Sequence, residues 1–135
     1  MMREVLTDRP ADEGFEIGTS TGLERVLKIL SGARFPLTGE KPLQAAIEAH
    51  MIEIGLPFER EVTLGPGDIV DFMVGTVAVE VKIKGQRRAI FRQCERYAGH
   101  GSVSAILLVT NVAMGFPPAL KGKPTAVLNL GRAWL

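Results

Sequence analysis

Residues 103–111, VSAILLVTN, form a nearly continuous apolar run without a charge. Such a run suits a β-strand covered on both faces, so its sheet needs helices above and below it. The rest of the chain supplies matching parts. Two β-branched runs, DIVDFMV and VAVEVKI, flank Gly75-Thr76. A two-residue turn with Gly first suits a type II′ hairpin. FEREVTL, ahead of the tight turn at residues 65–67, alternates and predicts a strand over 58–64. Three hairpin-linked strands, a helix and then the apolar strand imply a mixed sheet. The expected class is α/β, with a mixed central β-sheet flanked by helices and an αβββαβ core.

The helices follow from periodicity. In TGLERVLKILSG, Leu23, Val26, Leu27 and Leu30 are helically spaced, which predicts a short packing helix. LTGEKPLQAAIEAHMIEIGLPF carries the stripe Leu43, Ile47, Met51, Ile54. Thr38 is the expected cap, and Gly55 with Pro57 the expected stop. Glu40, Gln44 and Glu48 share a separate face, which by itself reads as a wet helix face. In GQRRAIFRQCERYAGHG, Ile90, Phe91, Cys94 and Ala98 predict a third helix, with Cys94 a core thiol. Residues 1–19 read as a lead-in with a short strand near Phe15–Ile17, VAMGFPPALKGKP as a loop with room for one short turn of helix, and TAVLNLGRAW as a final short strand. One domain is expected over 1–135: an arm and packing helix at 1–37, a core at 38–111 and an extension at 112–135.

The hairpin register carries the chemistry. If Gly75 and Thr76 form the turn, Val74 faces Val77 and Asp71 faces Glu80. Facing side chains share a side, with Cβ atoms ~4.5–5.5 Å apart. Lys82, two residues beyond Glu80, joins them. Two ionised carboxylates ~5 Å apart repel by ~3 kcal/mol at an effective dielectric of ~20. A divalent cation between them reverses that sign, and hard oxygen ligands suit Mg²⁺ or Mn²⁺. The plainer reading is an exposed edge on which Lys82 partly neutralises the pair. Asp68 competes with Asp71, but its register faces Ile83 on the other side, beside Val70 and Phe72. It also follows a turn, where Asp is common.

Net charge is +1, which gives no general pull toward nucleic acid. From Val81 to His100, however, stand six basic residues and one acidic residue. Arg88, Arg92 and Arg96 are four apart and form one stripe, with Lys84 and Arg87 nearby. The stripe is either a solvated helix face or a phosphate-contacting strip. His50 reads as a surface residue and His100 as a turn residue. No Cys/His set suits zinc. No apolar run approaches the ~20 residues of a membrane helix. The first residues are acidic and lack an apolar signal core, so secretion is not expected. A single cysteine fits a cytoplasmic setting.

Asp71 … Glu80-Val81-Lys82, framed by an acidic helix before and an Arg/Gln helix after, resembles the PD-(D/E)xK nuclease superfamily. The resemblance spans about residues 38–111. Val70 stands where the family's nominal proline would be. The resemblance implies a restriction-endonuclease-like fold and Mg²⁺- or Mn²⁺-dependent hydrolysis of DNA. Asp71, Glu80 and the Val81 carbonyl would hold metal, joined by Glu40, with Gln44 or Glu48 as alternatives. Lys82 would orient or help deprotonate water, and Gln93 would position phosphate or water. Lys84, Arg87, Arg88, Arg92 and Arg96 would contact backbone phosphates. A small repair, recombination or phage-type enzyme is expected, endo- or exonucleolytic. Cutting two strands would need two active sites, which a homodimer would supply. The alternatives are a nuclease-like domain without catalysis, binding nucleic acid or a protein, and an unrelated α/β binding protein in another register.

Overall fold

The β-branched runs around Gly75-Thr76 form the expected hairpin. A computed structural model of the chain describes residues 19–133. The helices are α1 (Thr19–Ser31), α2 (Glu40–Glu53), α3 (Arg87–Ala98) and the short α4 (Leu130–Ala133). The strands are β1 (Glu59–Gly65), β2 (Asp68–Val74), β3 (Val77–Lys82), β4 (Ala105–Thr110), β5 (Ala119–Leu120) and β6 (Lys123–Asn129). They make one six-stranded sheet in the order β1-β2-β3-β4-β6-β5. Strands β1, β2 and β3 are antiparallel neighbours, β3, β4 and β6 run parallel, and β5 returns antiparallel to β6. The protein is an α/β fold with a mixed sheet, and α2 to β4 follow the αβββαβ order.

The register is the one the turn dictates. Val74 pairs with Val77, Met73 with Ala78 and Phe72 with Val79. Gly75 has φ 60° and Thr76 does not enter the positive-φ region, as a turn with Gly in first place requires. Strand β4 is buried at all six residues. Its side chains divide between two cores: Leu107 and Val109 pack with α1 and α2, whereas Ile106 and Leu108 pack with α3. Val77, Val79 and Val81 join the first core, which leaves Ala78 on the α3 side. Fully burying one such Val or Leu contributes roughly 1.5–3 kcal/mol.

Several expectations change. Val70 and Phe72, two residues apart on β2, do not share a face: Val70 packs with α3 and Phe72 with α2. The flanking register pairs, Arg60 with Phe72 and Val62 with Val70, put Glu61 opposite Asp71, and Glu61 adopts φ 51°. This left-handed residue interrupts the alternation of side chains where the carboxylate sits. Thr38 does not cap α2; Gly39 holds the N-cap position without a side-chain hydrogen bond. Residues 112–135 are more than a short strand, since β6 lies beside β4 with β5 outside it. The loop before β5 contains no helical turn. His50 is half-buried rather than superficial: its Nε2 lies 3.2 Å from the Ile29 carbonyl, and its ring meets Phe35 edge-on. It therefore ties α2 to α1. The proposed strand near Phe15–Ile17 and Trp134 lie outside the described residues. No helix among the described residues is long and apolar enough to cross a membrane.

Candidate functional site

The backbone ladder between β2 and β3 is recorded as far as Phe72 and Val79, and beyond it side chains supply hydrogen bonds. The Val81 N–H donates to Asp71 Oδ2 at 2.8 Å, and the Asp71 N–H donates to Glu80 Oε1 at 3.3 Å. The two carboxylates thus stand across the hairpin from each other, as the turn requires. Each commits one oxygen to a backbone N–H. Glu80 Oε2 lies 3.5 Å from Lys82 Nζ. Asp71 Oδ1 accepts no hydrogen bond from the described residues.

Burial makes this pair electrostatically tense. Glu80 is only 3 % exposed. Desolvation, and then the negative charge of Asp71, push its carboxyl up to about 8, against the opposing pull of Lys82. Desolvation also raises Asp71 above the ordinary carboxylate range; the Val81 N–H opposes it and the charge of Glu40 adds to it. Cys94 is buried beneath, its thiol pushed up to about 12 by desolvation and then by Glu80. It is a core thiol and not a nucleophile.

The upstream helix resolves its three candidates. Arg60 on β1 donates to Glu48 Oε1 at 2.8 Å and to Gln44 Oε1 at 3.1 Å, and its guanidinium lies 4.7 Å over the Phe72 ring. Gln44 and Glu48 are therefore engaged in anchoring α2. The side chain of Glu40, the first residue of α2, forms no hydrogen bond or ion pair among the described residues and acts on Asp71 through its charge. Arg60 had no signal in the sequence beyond its place in an alternating strand.

Beyond Lys82 opens a cleft of about 310 Å³, lined by Lys82, Lys84, Gly85, Gln86, Ala89, Ile90, Gln93 and Arg96. It lies at the C-terminal end of β3, where open α/β sheets commonly receive ligands. The end of β4 fixes the Lys82 backbone: Thr110 Oγ1 donates to the Lys82 carbonyl at 2.7 Å and the Asn111 N–H donates to it at 3.2 Å. Lys82, Gln93, Lys84 and Arg96 thus meet in one depression. Arg87, Arg88 and Arg92 are exposed but do not line it. The row of α3 that faces the cleft is 86, 89, 93 and 96, because a period of 3.6 carries Arg88 and Arg92 around the helix.

Asp68 does not compete for the carboxylate pair. Its Oδ1 accepts from Arg96 Nε at 3.1 Å, and its Oδ2 lies 2.9 Å from His100 Nε2. Those bonds hold its carboxyl below the ordinary range, the bond to His100 foremost. His100 is therefore more than a turn residue. The sequence offered no local pattern for this contact, which spans 32 residues.

Among the described residues, no three His, Cys, Asp or Glu side chains form a ready-made metal cluster. The donor set nonetheless fits a hard divalent cation. Mg²⁺ typically takes one or two carboxylates and keeps water or phosphate as its other ligands. Asp71 Oδ1 is uncommitted, and a cation would relieve the repulsion that raises Glu80. No family model, no curated protein and no solved structure matches this chain.

Proposed function

We propose that this protein is a metal-dependent nuclease that hydrolyses DNA phosphodiester bonds. The observation that carries the reading is the Asp71–Glu80 pair, a half-buried and a buried carboxylate across an opened hairpin, bordered by Lys82 and a basic cleft. A structural hairpin gains nothing from two raised carboxylates, whereas a cation site uses both. Asp71, Glu80 and the Val81 carbonyl would hold Mg²⁺ or Mn²⁺, with Glu40 joining directly or through water. The ion lowers the pKa of bound water and stabilises charge on phosphate oxygens.

The chain's own residues do the positioning. Lys82, one side chain from Glu80, orients the attacking water and offsets negative charge on the phosphate. Gln93 and Arg96 hold the phosphate in the cleft, and Lys84 extends the positive lining. Arg87, Arg88 and Arg92 add sequence-independent attraction for more distant phosphates.

The test is incubation with linear, circular, single-stranded and branched DNA in Mg²⁺ or Mn²⁺. Cleavage is expected from the native chain and is lost in Glu80→Ala and Lys82→Ala. Absence of cleavage of every substrate, in both metals, overturns the reading.

A further inference from the structure

Arg96 is held in an unusual way for an exposed helical arginine. Its Nε donates to Asp68 Oδ1 at 3.1 Å, and its two terminal nitrogens have no partner among the described residues. Asp68 lies on β2 outside the cleft, with its side chain only 12 % exposed. His100 holds the other Asp68 oxygen at 2.9 Å, and Lys123 Nζ donates to the His100 carbonyl at 2.7 Å. A chain of contacts thus runs from β6 through the end of α3 to β2, and ends on a guanidinium that lines the cleft.

We infer that Asp68 and His100 are positioning residues that aim Arg96 into the cleft as a preset two-pronged clamp for a substrate phosphate. A free arginine must give up much rotamer freedom to make a forked contact, and one anchored through Nε has already lost it. The anchor leaves open the edge formed by the two terminal nitrogens, which matches two phosphate oxygens. Lys82 and Gln93 line the same cleft, so the phosphate held by Arg96 neighbours the carboxylate pair. This inference rests on the nuclease reading and adds two residues that reading does not use, Asp68 and His100.

The prediction runs opposite in sign to simple electrostatics. Asp68 is an anion beside a polyanion site, so its removal should tighten DNA binding if charge alone mattered. If it aims Arg96, its removal weakens binding.

The experiment measures binding of a short fluorescein-labelled duplex, and of its single strand, by anisotropy in a Glu80→Gln background that stops cleavage. Asp68→Ala should weaken binding about tenfold, as loss of an oriented charged contact would. Asp68→Asn keeps an oxygen for Arg96 Nε and should bind like the parent. Arg96→Lys keeps the charge, loses the fork and should weaken binding about threefold or more. Melting curves on each variant establish that it is folded at the assay temperature, and Arg96→Lys keeps the test decisive if Asp68→Ala is not. Equal or tighter binding by folded Asp68→Ala, or parental binding by Arg96→Lys, overturns the clamp and leaves the nuclease reading standing. If the Glu80→Gln chain with Asp68 and Arg96 intact binds neither DNA, the clamp falls, whereas the nuclease reading falls only if the native chain cleaves no substrate.

Discussion

Asp71 gives its backbone N–H to Glu80 Oε1, while Asp71 Oδ2 accepts the N–H of Val81, next to Glu80. The two strands are thus joined where the hairpin opens by the very side chains that repel each other. The arrangement satisfies the backbone but leaves two carboxyls raised in one buried spot.

A pH dependence follows from it. Glu80 moves from 4.5 to about 8 on folding, so between those values the folded chain holds a proton that the unfolded chain has released. Stability tied to that proton is fully present below the window and is lost as pH rises through it. Asp71 shifts in the same direction. Without divalent cation, Tm should fall as pH rises across the window, and Glu80→Gln should flatten the fall. Mg²⁺ or Mn²⁺ should raise Tm most at the alkaline end, and below about pH 8, where the metal-free chain still holds the Glu80 proton, binding should release that proton, measurable by calorimetry in buffers of different ionisation enthalpy. A Tm independent of pH in this range, with no effect of metal, would count against the cation site.

Glu40 and Gln44 lie one turn apart on α2 and should behave differently. Gln44 is bonded to Arg60, whereas Glu40 bears on Asp71 by charge. Glu40→Gln should lower Mg²⁺-dependent cleavage by about tenfold or more, in the range of metal-supporting groups, and leave Tm nearly unchanged. Gln44→Ala should leave kcat alone and cost about 0.5–1.5 kcal/mol of stability. Steady-state cleavage and urea unfolding on both variants read the contrast, and a reversed pattern would reassign the helix contribution.

Arg60 anchors α2 to β1 through Gln44, Glu48 and the Phe72 ring. Arg60→Ala should cost about 2–3 kcal/mol, since it removes an ion pair to Glu48, a guanidinium hydrogen bond to Gln44 and a cation–π contact together. Arg60→Lys should lose about half of that, because an ammonium lacks the planar fork that spans both oxygens and lies over the ring. Urea midpoints at constant m check both values.

The hairpin was legible because its register depends on two adjacent residues, Gly75 and Thr76, and on the β3 valines Val77, Val79 and Val81, which alternate without a break. Strand β4 was legible because five apolar residues in a row, closed by a buried Thr110, admit few other placements. What escaped depends on distance along the chain. Arg60 meets residues 12 and 16 positions away, and Asp68 meets residues 28 and 32 away. Nothing local marks such partners. The arginine stripe divides for a different reason: a spacing of four follows a helix only approximately, so Arg96 lines the cleft and Arg88 does not. The interruption at Glu61 was equally hidden, because a glutamate with positive φ leaves no compositional trace.

His100 and Gly65 supply a last test, independent of any activity. A Cβ added at Gly65 would come within 2.6 Å of His100 Cε1. Gly65 is not in the left-handed region, so the obstacle is the ring and not the backbone. The ring cannot swing away freely, because its Nε2 is bonded to Asp68. Gly65→Ala should therefore cost about 1–3 kcal/mol by overpacking. In a His100→Ala background the same change should cost much less, giving a coupling of about 0.5–3 kcal/mol in a double-mutant cycle measured by urea unfolding. Strict additivity would mean that His100 moves aside without loss and does not brace Asp68.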